Sequence, residues 1–162
     1  VVEGIVGILR WDVTLLGVQH HAGTTPMDQR HDALLATARF VDMVNRVVRA
    51  EPGRQVGTVG RVEAFPGAPN VIPGRVVATL EMRDLDMAKV RRLFDVIAEE
   101  ARTIGEATGT TFQFGESHES VAAPSEPAIR QIVRDARAKD FRFSSIIVGI
   151  AESAPFTMRK AL

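Results

Sequence analysis

Between Trp11 and Phe114 the spacing of apolar residues changes in a definite order, and that order restricts the fold more than any other property of the 162-residue chain. Trp11, Val13 and Leu15 alternate with Asp12 and Thr14, the period of a strand with one wet face, and Gly17 closes it. From Asp32 to Arg49 the apolar residues Leu34, Ala38, Val41, Val44 and Val48 recur at steps of three and four, which predicts an amphipathic helix stopped by Pro52 and Gly53. Residues 55–65 are rich in Val and Thr and reach Phe65, so they predict a strand in which Gly57 and Gly60 mark close backbone approach. After the turn Pro66-Gly67-Ala68-Pro69, alternation returns: Val76, Ala78, Leu80 and Met82 face one way, and Pro73-Gly74 before them suits a type II turn. Asp86 is placed to cap a second helix with Val90, Leu93, Ile97, Ala101 and Ile104 on its buried face and Gly109 as its stop. A short strand, Thr111 to Phe114, follows.

Strand, helix, strand, strand, helix, strand is the order of an α+β, ferredoxin-like βαββαβ sandwich: a four-stranded antiparallel sheet with two helices on one face. An extra C-terminal helix is expected from Glu126 to Lys139, with Ser125 as cap and Pro127 in its first turn. Before the first strand, Val1 to Leu9 has the character of a buried strand or connector.

Composition narrows the classes of partner. Basic and acidic side chains balance at 20 each, so nothing favours a nucleic acid or an anionic membrane surface. No apolar run is long enough to span a membrane, and residues 1–9 lack the basic leader of a signal peptide. The absence of cysteine removes disulfides and thiolate zinc sites and fits a cytoplasmic protein.

Chemistry concentrates between His20 and Asp32, which read His-His-Ala-Gly-Thr-Thr-Pro-Met-Asp-Gln-Arg-His-Asp. Two histidines precede a small Ala22-Gly23 turn, and a helix start is expected behind them, with Thr25 as N-cap, Pro26 in the first helical position and Asp28 at the capping-box spacing. Such a loop can hold an imidazole rigidly towards a ligand, and it can equally carry ordinary surface histidines. Metal chemistry finds little support, because hydrolysis on a metal needs several His, Asp or Glu ligands around an open position. Only His20, His21, His31 and His118 are on offer, and adjacent histidines in a strand point to opposite faces, so no metal ligand is assigned.

The run His21-Ala22-Gly23-Thr24-Thr25-Pro26-Met27, continued by Arg30, Asp32, Ala33 and Leu34, resembles a signature of the metal-dependent amidohydrolases that include N-carbamoyl-L-amino acid hydrolases, beta-ureidopropionases and allantoate amidohydrolases. Two later stretches agree with it in the right order: Val56 to Arg61 running on to Pro66 through Gly74, and Glu81-Met82-Arg83-Asp84-Leu85-Asp86. The resemblance covers roughly residues 1–140 and concerns the smaller lid or dimerisation domain of that family. It implies a connector from the catalytic domain over 1–9, a lid over 10–118, and a return to the catalytic domain over 119–162 whose tail from Phe141 matches nothing in the family. By resemblance, His21 is the catalytic residue that reaches across a dimer and stabilises the oxyanion formed at the amide or carbamoyl carbon, a contribution of about 3 kcal/mol for a well-aimed donor. Asn70 and Arg83 are implied to bind the substrate carboxylate, for which an amide donor and a planar guanidinium are suited. Read without the resemblance, Asn70 holds a turn, and Arg83 pairs with Asp84 or Asp86. Arg30, Asp32 and Asp84 are expected as structural ion partners.

Two functions therefore compete. One is the lid and dimerisation domain of an enzyme acting on N-carbamoyl amino acids or ureido acids, with a divalent metal, zinc or manganese, held by the parent enzyme and no cofactor in this chain. The other is a stand-alone ferredoxin-like module that self-associates or binds a small acid. A homodimer is expected, because an open four-stranded sheet leaves edges to be paired, and the isolated chain is expected to do no hydrolysis.

Overall fold

The computed structural model describes residues 3–157, which form two compact units, one of residues 7–122 and one of 3–6 with 123–157. Val1, Val2 and the last five residues of the expected C-terminal tail lie outside the described residues. In chain order, β1 (Gly4–Ile5) belongs to the smaller unit. The larger contains β2 (Gly7–Leu16), β3 (His20–His21), α1 (Ala33–Ala50), β4 (Val56–Phe65), β5 (Val71–Ile72), β6 (Arg75–Asp84), α2 (Met87–Thr108), β7 (Thr111–Phe114) and β8 (His118–Ser120).

The main sheet of the larger unit is antiparallel in the order β4-β6-β2-β7, and both helices pack on one of its faces. This is the expected ferredoxin-like arrangement. The fourth strand is interrupted: β7 pairs with Val13 to Leu16, the Gly115 N–H then bonds the Asp12 carbonyl at 2.9 Å, and β8 resumes opposite Ile8 to Arg10. One face of the strands, Leu9, Trp11, Val13, Leu15, Val76, Ala78, Leu80 and Met82, is wholly buried against the helices. Each large side chain there contributes about 2 kcal/mol through burial. Trp11 stacks on Phe94 with ring centroids 4.1 Å apart, and Phe40 tilts over Phe112 at 5.4 Å. On the opposite, polar face Arg10 bonds Glu81 and Thr79 bonds Asp12.

Helix α2 follows its expectation, with Asp86 accepting the Lys89 N–H at 3.0 Å and Gly109 ending it at φ 63°. Helix α1 does not. Its buried face is Ala33, Ala36, Thr37, Phe40, Met43, Val44, Val47 and Val48, whereas Leu34, Ala38 and Val41 are exposed. The apolar arc of this helix is wider than one core can cover, and small residues at Ala33 and Ala36 let the helix settle on the side away from Leu34. Thr37 fits among them because its hydroxyl donates to the Ala33 carbonyl at 2.7 Å.

Capping and turns also differ from expectation. Asp32, not Thr25, caps α1, its carboxylate accepting the N–H groups of Leu34 and Leu35 at 2.8 and 3.1 Å; Asp28 belongs to a separate 3-10 turn, Met27–Gln29, which Pro26 precedes and no side chain caps. Gly74 does not have the positive φ of a type II turn. It is a site of close approach instead, where a Cβ would lie 2.8 Å from the Gln19 nitrogen. Gly57 does mark close approach, a Cβ there falling 2.6 Å from Val48 Cγ2, while Gly60 sits at the β-bulge between Val59 and Arg61.

In the smaller unit β1 pairs with β9 (Ala123–Pro124), followed by α3 (Pro127–Ala136), a 3-10 turn Arg137–Lys139, α4 (Phe143–Glu152) and α5 (Ala154–Thr157). The cap of α3 is Glu126, whose carboxylate accepts the Ile129 N–H at 3.1 Å, while the Ser125 N–H is engaged by the Glu3 carbonyl at 2.9 Å. Of the apolar N-terminal segment, Leu9 is buried in β2, but Ile5 is 72% exposed. Helix α4 packs on α3 where Gly149 meets Ile132, and Phe143, Ile147 and Val148 face outward.

Candidate functional site

The histidine segment is held to the sheet by backbone. Gly17 N–H bonds the Gly74 carbonyl at 2.8 Å, Val18 N–H the His31 carbonyl at 2.9 Å, and Ala33 N–H the Pro73 carbonyl at 3.1 Å. Between these ties β3 pairs with β5, His20 opposite Ile72 and His21 opposite Val71, and the Ala22 N–H reaches the Asn70 carbonyl at 2.9 Å. Two loops distant in sequence are thereby joined, and His21 and Asn70 share one end of the unit. The sequence reading placed the histidines in a loop and missed this short ladder; the apolar pair Val71-Ile72 directly after Asn70 is the signal that marks it.

The His21 ring is oriented by its own turn. The Gly23 N–H donates to Nδ1 at 3.0 Å, while the His21 carbonyl accepts the Thr25 N–H at 3.2 Å and the Thr25 hydroxyl at 2.8 Å. With Nδ1 accepting, the neutral imidazole carries its proton on Nε2. The exposed ring therefore offers a donor to whatever approaches. Asn70 is exposed and has no positive φ, so it is not a left-handed turn residue.

Arg83 lies elsewhere. It is the penultimate residue of β6, opposite Ile8 and Val56, on the polar face of the sheet. Asn70 and His21 adjoin the other end of the same strand, before Arg75. Eight residues of strand at about 3.3 Å each separate the two ends by about 26 Å. Arg83 pairs with Glu81, Nε to Oε1 at 2.7 Å, and not with Asp84 or Asp86. Glu81 also bonds Arg10, and these guanidinium groups, Arg10 first, hold its carboxyl below the ordinary range. Asp84 is nearly buried; burial pushes its pKa up, but the Asp86 N–H at 2.8 Å and the Lys89 ammonium at 2.6 Å outweigh that and bring it below the ordinary value. Asp84 is thus an ion partner as expected. Asp32 is a helix cap, and Arg30 bonds carbonyls rather than a carboxylate.

Among the described residues no group of three or more His, Asp or Glu side chains stands together as a metal site. His21 Nδ1 is taken by the Gly23 N–H, and His20 and His21 occupy successive strand positions, so this chain's donors do not fit a hydrolytic metal centre. No described helix is long and apolar enough to cross a membrane.

Comparison with known proteins matches residues 4–109 to the peptidase dimerisation domain family. The chain is 31% identical over 158 residues to an N-carbamoyl-L-amino-acid amidohydrolase of Pseudomonas sp. (strain NS671), covering 96% of this chain and 38% of that protein. It is 36% identical over 104 residues to the allantoate amidohydrolase of Escherichia coli (strain K12), covering 64% of this chain and 25% of the relative. Among solved structures, a hydantoinase/carbamoylase family amidase from Burkholderia ambifaria superposes with a TM-score of 0.81 at 30% identity, over 85% of this chain and 34% of that one. The chain thus spans well under half the length of the relatives it matches.

Proposed function

Because the chain belongs to the peptidase dimerisation domain family, we propose that it is the lid and dimerisation part of an amidohydrolase that cleaves linear amides of the N-carbamoyl amino acid or ureido acid type. In this reading His21 donates its Nε2–H to the oxyanion that develops as the amide carbon is attacked, a role that calls for an aimed donor with a fixed tautomer. Asn70, tied to the same end of the unit, adds a neutral donor, and Arg83 takes the substrate carboxylate in two parallel hydrogen bonds. The divalent metal, zinc or manganese, belongs to the part of the protein that lies outside this chain, and the cysteine-free composition accords with a cytoplasmic location.

The observation that carries the reading is the separation of about 26 Å between the His21 and Arg83 ends of β6. No small substrate spans it. Used together, these residues must come from two copies, His21 and Asn70 from one protomer and Arg83 from its partner, so the domain that pairs the protomers also completes each active site.

The surface for that pairing lies beside β4, whose outer edge has no strand partner among the described residues. The flank of α1 that turns towards α2 carries Arg46, bonded to Glu100. The other flank carries Leu34, Ala38 and Val41 above Val48, which touches β4 at Gly57. An exposed apolar stripe next to an open strand edge suits a two-fold contact that continues the sheet and buries the stripe.

Complementation tests the reading. In the full-length protein, with substrate held well below KM, His21→Ala and Arg83→Ala should each nearly abolish turnover, and random pairing of the two variants should restore about a quarter of wild-type activity, from one intact site in each mixed dimer. Activity in the mixture no higher than in the separate variants would overturn the shared site.

A further inference from the structure

We propose that Arg30 is a positioning residue for His21, acting through the turn 22–25. The proposal rests on the reading of His21 as a donor to substrate. Arg30 is half-buried and spends its guanidinium on carbonyls: Nη2 bonds the Ala22 carbonyl at 2.8 Å and the Thr25 carbonyl at 2.9 Å, and Nε bonds the Thr25 carbonyl at 3.0 Å. Those carbonyls bracket the turn. Inside it lies the Gly23 N–H that bonds His21 Nδ1, and Thr25 closes back on the His21 carbonyl. Arg30 therefore fixes the backbone, the backbone fixes the ring, and the ring presents Nε2. Gly23 lets the ring lie close over the turn, since a Cβ there would stand 3.1 Å from His21 Cε1.

The guanidinium is suited to this task in a way an ammonium is not. Its planar fork reaches two carbonyls at once with fixed angles, whereas a lysine at the same position offers a single point charge on a flexible stem. Misplacing a catalytic donor by about 1 Å can cost about a hundredfold in rate, so a turn held this way bears on turnover even though Arg30 itself need not touch substrate.

Two measurements on Arg30→Lys and Arg30→Gln test the proposal. The first is amide hydrogen exchange by NMR in the 162-residue chain, with the amides of α1 and α2 as the control for folding. Exchange at Gly23 and Thr25 should rise about tenfold or more while the helices keep their protection. The second is kinetics in the full-length protein, where kcat should fall by about ten- to a hundredfold with KM within about twofold, and Arg30→Lys should add nothing to His21→Ala. Unchanged protection at Gly23 in both variants would overturn the proposal. So would additive losses in the double variant. Lost protection with normal turnover in both Arg30→Lys and His21→Ala would uphold the positioning of the ring and overturn instead the donor role of His21.

Discussion

His21 stands opposite Val71 across a ladder of two residue pairs, and the next bond, from the Ala22 N–H to the Asn70 carbonyl at 2.9 Å, locks the histidine loop to the asparagine loop. Gly74 makes this junction possible, because it lies against Gln19 with no room for a side chain. Gly74→Ala would place a methyl 2.8 Å from the Gln19 nitrogen. We expect a loss of about 1–3 kcal/mol in urea unfolding, as for other overpacked sites, and NMR shift changes centred on His20 to Ala22 and Asn70. Wild-type stability with unmoved signals would show that the two loops are not held together at this point.

The residues assigned different tasks should fail differently in the full-length protein. His21→Ala should lower kcat by about a hundredfold with little change in KM, as for other lost oxyanion donors. Arg83→Ala and Asn70→Ala should chiefly raise KM, because a carboxylate grip acts on the bound substrate as much as on the transition state. Steady-state kinetics on an N-carbamoyl amino acid reads the split, and equal effects on kcat from all three would remove the division of roles.

Self-association should depend on the outer flank of α1. Val41 is exposed, so Val41→Glu should change the stability of one protomer by less than about 1 kcal/mol. In sedimentation at micromolar concentration the 162-residue chain should run as a dimer and the variant as a monomer. A dimer that survives Val41→Glu and Leu34→Glu together would place the contact elsewhere.

Asp84 should make the fold sensitive to acid. Its pKa in the folded chain is lowered, so its stabilisation is complete above the unfolded value of about 3.9 and is lost as pH falls through the lower folded value. Glu81, held by Arg10 and Arg83, adds to the same trend. Urea midpoints should therefore drop steadily below about pH 5. In Asp84→Asn the drop should be shallower, and at pH 7 the variant should be less stable by about 3 kcal/mol because Lys89 is left nearly buried without its partner. A pH profile unchanged by Asp84→Asn would refute this assignment.

The isolated chain, supplied with zinc or manganese, should not hydrolyse N-carbamoyl amino acids, since the donors among its described residues form no ligand set. Metal-dependent turnover by a preparation free of contaminating hydrolase would overturn that expectation.

What the sequence by itself determined is the order and kind of elements in the larger unit, because that information is local and periodic. Alternation at Val76, Ala78, Leu80 and Met82 identified β6 and its buried face, and Asp86 and Gly109 bounded α2, since a strand face, a cap and a left-handed stop are each written within a few residues. In α1 local information ran out. The apolar arc of that helix is wider than its core contact, so periodicity alone chose a stripe through Leu34, Ala38 and Val41 that the fold leaves exposed beside the free edge of β4. Only the tertiary structure decided which part of the arc packs, because that depends on where small residues let two surfaces approach. The site divides the same way. The candidate residues His21, Asn70 and Arg83 could be picked from motifs, but the separation of about 26 Å between the two ends of β6 could not, for it follows from strand rise and pairing. The pairing of His21 with Val71 and the three carbonyl bonds of Arg30 join residues through space, and no spacing along the chain encodes them.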